Sequence, residues 1–286
     1  MRGERGAVAA VGNPRLLHVA RSGAGDPPLV LTHGFGASGR YWQPWLPALE
    51  AKHEVLNVDL TGFGQAPMPR GVGLAPEDQA RRIAALVREL APRAPVLVGH
   101  SFGAGVIALA ALELLDEGAP NAPAGLVFMS GAIYPQKLPP FMTLGRVPLV
   151  GDLLLALAPP RPALRAGLRG IAHRKEAVTP ERAEDYRIPL EHFGRRRAIL
   201  AAARAVRLET AEALAARIDR LRIPTLLLWG EEDPVIPCDH GRRLARELPE
   251  ARLETFPGIG HLVIDEAGDL ALAPLLTFLA ELAPRR

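Results

Sequence analysis

One cysteine, Cys238, is all the chain contains. An intrachain disulfide is therefore excluded, and the fold must rest on its core in a setting that keeps thiols reduced. Lysine is scarce as well: Lys52, Lys137 and Lys175 are the only ones, so arginine carries nearly all the positive charge. Those arginines are mixed with Asp and Glu to a net charge of +3 over 286 residues, which leaves no basic stripe for nucleic acid. Long apolar runs are missing too. The greasiest stretch, "VPLVGDLLLALAPP", is cut by Gly151 and Asp152 and stopped by Pro159, short of the ~20 apolar residues of a membrane span. No apolar stretch of signal-peptide length follows the charged start "MRGERGAVAAVGNPRLL". The expectation is a cytoplasmic monomer or homodimer with no stable membrane insertion. No His, Cys and carboxylate cluster has metal-ligand spacing, and no P-loop or dinucleotide fingerprint is present, so neither a metal nor an organic cofactor is expected.

What the chain does have is core material, 48% hydrophobic, arranged in short runs. Arg15 to Ala20, Pro28 to His33, Glu54 to Leu60, Pro95 to Gly99, Gly125 to Ser130, Pro224 to Gly230 and Ala251 to Phe256 read as strands. Their apolarity is continuous rather than alternating, as in strands buried on both faces of a parallel sheet. Ala7 to Val11 would add a weaker edge strand. Helical patterns lie between them at Trp42 to Glu50, Pro76 to Leu90, Ser101 to Leu115, His240 to Leu248 and Ala267 to Leu282. This alternation implies an α/β fold with a doubly wound, mostly parallel sheet. From Pro135 to about Arg222 the rhythm breaks into helical patterns rich in proline, without a convincing strand. The expected organisation is a core of residues 1–134 and 223–286 interrupted by a helical insertion, 135–222.

The chemistry begins at "GHSFG", Gly99 to Gly103, which fits G-x-S-x-G after a strand and before a helix. Such a bend holds Ser101 in strained dihedrals, clear of the sheet and over a helix N-terminus. A serine hydroxyl needs a base to become a nucleophile. His261, in "GIGHLVIDE", follows the last strand, in the chain order Ser, acid, His known for this kind of turn. The base in turn needs a carboxylate to fix its tautomer. Asp233, in "LLLWGEEDPVIP", lies just past a strand, with Glu231 and Glu232 as neighbouring rivals. The other position for an acid, after the Gly125 strand, holds Ser130. An oxyanion would be received by the backbone amides of Phe102 and of Phe35, the latter in the glycine-rich "THGFGAS".

With these pieces the chain resembles the α/β-hydrolase family, in its branches with a helical cap. The matching stretches are "HGFGAS" at 33–38, "DLTGFGQAP" at 59–67, "GHSFGAG" at 99–105, "WGEEDPVIP" at 229–237 and "GIGHLVIDE" at 258–266. Haloalkane dehalogenases and epoxide hydrolases of the family have an aspartate where this chain has Ser101. Ring-fission carbon–carbon hydrolases usually have an asparagine where it has His100. The resemblance implies a serine carboxylesterase or lipase acting on a largely apolar ester through an acyl-enzyme. A carbon–carbon hydrolase, lactonase or perhydrolase with the same triad is the alternative, and a non-catalytic binding protein the third.

For the substrate pocket the sequence offers Tyr41, Trp42, Ile133, Val235 and Leu262, whose loops border the triad, together with Leu153 among the leucines of the insertion. The run Arg195 to Arg197 reads as a solvated helix face, with an anion site as its rival. Cys238 reads as a buried thiol near a helix start.

Overall fold

The structure, a computed structural model, describes residues 12–137, 143, 147 and 161–282. The expected edge strand at Ala7 to Val11 and the expected pocket residue Leu153 lie outside them. Seven strands form one sheet: β1 (His18–Ser22), β2 (Leu29–Thr32), β3 (Val55–Asp59), β4 (Val96–His100), β5 (Gly125–Met129), β6 (Thr225–Gly230) and β7 (Ala251–Phe256). Their spatial order is β1-β3-β2-β4-β5-β6-β7, and every pair is parallel except β1 with β3. The described helices between them are α1 (Leu46–Glu50), α2 (Pro76–Arg88), α3 (Phe102–Asp116), α4 (Arg161–Ile171), α5 (Pro180–Arg187), α6 (Phe193–Ala205), α7 (Leu208–Ala215), α8 (Cys238–Glu247), α9 (Val263–Ala267) and α10 (Asp269–Leu282).

Side chains alternate across each strand, so the continuous apolar runs feed two cores. Val30, Leu97 and Leu126 join α2, α3 and α8 on one face. Leu29, Leu31, Val96, Val98 and Val127 join α1, α9 and α10 on the other. The five inner strands β2 to β6 are buried throughout, whereas β1 and β7, at the two ends of the described sheet, are only half-buried.

Local chemistry moves three expected boundaries. Asn13 caps a 3-10 turn at Pro14–Leu16, with its side chain accepting from Arg15 N–H. The first strand therefore starts at His18, and it runs antiparallel. Prolines 44 and 47 divide the helix expected from Trp42 into a 3-10 turn, Gly39–Trp42, and the short α1. Gly268, at φ +51, ends α9, which the sequence did not announce, and moves the start of the last expected helix from Ala267 to Asp269.

The order of strands positions the site. From β2 the chain crosses to β3 on one side and then returns to β4 on the other. β2 and β4 therefore flank a switch point, where the loops leaving their C-terminal ends diverge and open a crevice. The Thr32 pairing with Gly99 brings the loop at 33–38 beside the turn at Ser101. Between β5 and β6 the described residues form helices and no strand. No described helix is long and apolar enough to cross a membrane.

Candidate active site

Ser101 sits between β4 and α3 with φ +53 and ψ −117, a conformation that serine rarely adopts. The turn is locked from several sides. Ser101 N–H donates to Met129 C=O (2.9 Å), and its own carbonyl accepts from Ala104 and Ala132 (3.1 and 3.0 Å). A Cβ at Gly99 would stand 2.7 Å from Ala104 backbone atoms, and one at Gly103 2.6 Å from His33 O. Only glycine allows strand, turn and helix to approach this closely.

Ser101 Oγ is 3.0 Å from His261 Nε2, and His261 Nδ1 is 2.8 Å from Asp233 Oδ2. Because the carboxylate can only accept, Nδ1 carries the proton and Nε2 is left to accept from the serine hydroxyl. The three residues come from the ends of β4, β6 and β7 and are nearly buried. Burial alone would raise the Asp233 carboxyl, but the facing His261 and the amide of Ile236 reverse that and hold it below its usual value. Its Oδ1 accepts from Val235 and Ile236 (2.8 and 2.9 Å), and Trp229 Nε1 anchors the same loop by donating to Ile236 C=O. Ser130, at φ +44, also faces Asp233. Glu231 accepts from Thr255 Oγ1 on β7, and Glu232 accepts from the amides of Gly258 and Ile259, so one rival holds the end of the last strand and the other braces the loop that precedes His261.

Two further histidines stand beside this chain of contacts. His33 accepts from Leu60 N–H at Nε2 (3.1 Å) and donates from Nδ1 to Gly34 C=O (2.8 Å). Burial keeps it neutral by pushing it down from 6.5. In a trans peptide the N–H points opposite to the C=O, so this grip on Gly34 C=O fixes the direction of Phe35 N–H. Phe35 packs edge-on against Phe102 (5.7 Å), whose amide opens α3. N–H groups in that first turn have no acceptor within the helix. His100 donates from Nε2 to His261 C=O (3.0 Å) and stacks on Tyr41 at 4.4 Å. Burial, reinforced by the neighbouring His261, pushes it down to about 3.

The expected pocket residues divide. Val235 is half-buried beside Asp233. Tyr41 lies under His100, nearly buried. Trp42 and Ile133 are fully buried in the two cores, Trp42 against Trp45, which is a packing position instead of the wall expected of them. Leu262 packs against Leu168, Ala172, Val178 and Ala183 and so ties the helices of 161–187 to the sheet. A cavity of about 570 Å3 lies beside Phe102, between α3 and α7, with Leu109, Ala132, Tyr134 and Leu214 in its wall.

The arginine run divides: Arg197 is exposed, as a solvated helix face requires, and the other two are not. Arg196 is buried and donates to the carbonyls of Leu190 and Glu191 (both 2.8 Å), while Arg195 donates to those of Phe63 and Ala66. Burial lowers Arg195 from its ordinary value. Arg195 thus fastens one side of α6 to the loop after β3, and Arg196 fastens it to the turn before it, while Arg197 stays exposed on the opposite side. Cys238 is buried at the start of α8, and burial raises its thiol. Among the described residues no group of three or more His, Cys, Asp or Glu could hold a metal ion.

Comparison with known proteins agrees with this geometry. The profile of the alpha/beta hydrolase family matches residues 29–273. The chain belongs to that family and is a hydrolase. It is 26% identical to an uncharacterized hydrolase of Bacillus subtilis over 89% of this chain and 90% of the relative. It is 28% identical to a 2-hydroxy-6-oxo-2,4-heptadienoate hydrolase of Pseudomonas putida over 84% of each. An alpha/beta hydrolase fold protein from Burkholderia ambifaria superposes with a TM-score of 0.78 at 25% identity, covering 91% of this chain and 93% of that one.

Proposed function

We propose that the protein is a serine hydrolase that cleaves carboxylic esters of largely apolar acyl groups. The observation that carries this reading is the unbroken chain from Ser101 Oγ to His261 (3.0 Å) to Asp233 (2.8 Å), with the histidine tautomer set for accepting the serine proton. Ser101 Oγ attacks the acyl carbonyl while His261 Nε2 takes its proton, and Asp233 stabilises the imidazolium that results. The amides of Phe35 and Phe102 receive the oxyanion. His261 then returns the proton to the leaving alcohol. Water, deprotonated by the same histidine, releases the acid and restores the serine.

An uncharged substrate is supported by the fate of the nearby arginines. Arg182 and Arg195, which reach the core from the helices between β5 and β6, are taken up by Asp265 and Asp185 and by the carbonyls of Phe63 and Ala66. In this reading residues 135–222 form a helical cap over a core made of 1–134 and 223–286. The named Pseudomonas putida relative favours a second reading, in which the same triad cleaves a carbon–carbon bond next to a carbonyl.

The test is hydrolysis of p-nitrophenyl esters, acetate through laurate, by the wild type and Ser101→Ala. The expected outcome is turnover that falls at least about 10,000-fold in the variant. A wild type inert on every ester, whose Ser101 still labels with a serine-directed phosphonate, moves the assignment to carbon–carbon cleavage. Failure of both leaves a hydrolase fold used for binding.

A further inference from the structure

Glu266, on α9, is 4% exposed, yet its carboxylate meets four backbone N–H groups. Oε1 accepts from Leu262 (3.0 Å), and Oε2 from Gly260 (2.9 Å), His173 (2.7 Å) and Arg174 (2.8 Å). Two of these donors flank His261 in the chain. The other two lie just beyond the end of α4, in the helical segment between β5 and β6. His261 is held between the same parts: its N–H donates to Ile171 C=O (3.0 Å). The Arg174 guanidinium closes the circuit by donating to Glu266 C=O (3.1 Å). Loop and helix end meet backbone to backbone, since a Cβ at Gly260 would lie 2.5 Å from His173 N and 3.0 Å from Ile171 O.

We propose that Glu266 is a positioning residue through which residues 171–174 of the helical segment hold His261 on Ser101. The proposal rests on the reading of His261 as the base. Capping of α9 would account for the bond to Leu262 alone; it leaves the donors at 173, 174 and 260 unexplained. Residues 257–262 belong to no helix or strand, so their backbone N–H groups depend on acceptors supplied from elsewhere. An ionised carboxylate is the strongest such acceptor, and this one serves both sides of the base at once. The helical segment thereby becomes part of the apparatus that aims the imidazole, in addition to anything it does for substrate.

Two variants separate this role from general stability. Glu266→Gln keeps the side-chain volume and turns one acceptor into a donor that faces an N–H. Gly260→Ala leaves Glu266 intact and pushes the loop away from His173. Each is compared with the wild type in kcat and KM on the best p-nitrophenyl ester, in thermal midpoint, and in the low-field proton resonance of His261 Nδ1–H. A misplacement of order 1 Å costs about 100-fold in rate. The expected result in folded protein is therefore a kcat lower by about 10- to 100-fold, with KM changed less than about 3-fold, and a shifted or lost low-field line. Either folded variant decides. A kcat within about 3-fold of wild type, with the resonance unmoved, overturns the proposal. A wild type inert on esters whose low-field line still moves in the variants sinks the ester reading and leaves the role of Glu266 standing.

Discussion

Three buried histidines, His33, His100 and His261, have three different sets of hydrogen-bond partners. His33 faces a donor at one nitrogen and an acceptor at the other, His261 has its tautomer fixed by the carboxylate at Nδ1, and His100 uses Nε2 on the carbonyl of His261 and keeps its ring against Tyr41. Burial pushes His100 from 6.5 down to about 3, with His261 adding to the effect. A group whose folded value lies below its unfolded value releases its proton on folding. Stability is therefore complete above pH 6.5 and is lost as pH falls from there toward 3, by about 1 kcal/mol per pH unit. His33 and His53, also lowered by burial, act in the same direction. Thermal midpoints between pH 7 and 4 should fall less steeply for His100→Asn than for the wild type, and equal slopes would remove His100 as a source. The contacts of Ser101 with His261 and of His261 with Asp233 were legible in the sequence because a serine turn, a carboxylate and a histidine each follow a strand that ends at the same edge of the sheet. His100 and Glu266 were not legible as supports: His100 acts on a backbone carbonyl 161 positions away, and Glu266 reaches amides 92 and 93 positions away.

At the level of elements, the turn from β4 into α3 sets the tolerance of the site. The nearest atoms to a Cβ at Gly103 are backbone oxygens of Thr32 and His33, which cannot rotate aside. Gly103→Ala should lose about 3 kcal/mol in denaturant unfolding or fail to fold. Gly167→Ala serves as the comparison. It lies inside α4 with nothing within 4 Å of the added carbon, and the gain in helix propensity should raise stability by up to about 1 kcal/mol. A Gly103→Ala protein as stable as wild type would mean that the turn has slack the distances deny. The same physics explains how well elements were read. Buried strands announce themselves by continuous apolarity, and all seven expected runs became strands. The misplaced boundaries fall where one residue overrides a pattern, at Pro14, at prolines 44 and 47, and at Gly268.

Over the whole molecule, the helices between β5 and β6 are attached by buried charge as well as by apolar packing. Arg182 bonds to Asp265, to Asp185 and to the carbonyls of Arg40 and Tyr41, while Tyr186 donates to the second oxygen of Asp265. Burial would lower Arg182, but Asp265, Tyr186 and Asp185 together outweigh it and the guanidinium is held above its ordinary value. Arg182→Ala should cost about 3 kcal/mol in unfolding, because it strands a carboxylate whose side chain is 2% exposed. Arg252→Ala, which breaks an exposed pair with Glu281, should cost under about 1 kcal/mol. Comparable losses from the two would show that the inner pair carries no special weight. The helical segment was the least legible part of the chain. Arg182 bonds to a carboxylate and Arg195 to backbone carbonyls far along the sequence, and neither kind of partner leaves a periodic trace.

The attachment has a consequence for how such proteins diversify. A parallel pair joined by a long connection invites exchange of the piece between β5 and β6, since neither strand needs to move. Here, however, that piece carries in its interior two amides that donate to the carboxylate of Glu266. A chimera that receives a foreign segment must also inherit N–H groups where His173 and Arg174 stand, or the carboxylate of Glu266 loses two of its four donors. Recombination at this seam is therefore constrained by main-chain geometry, which sequence identity does not measure.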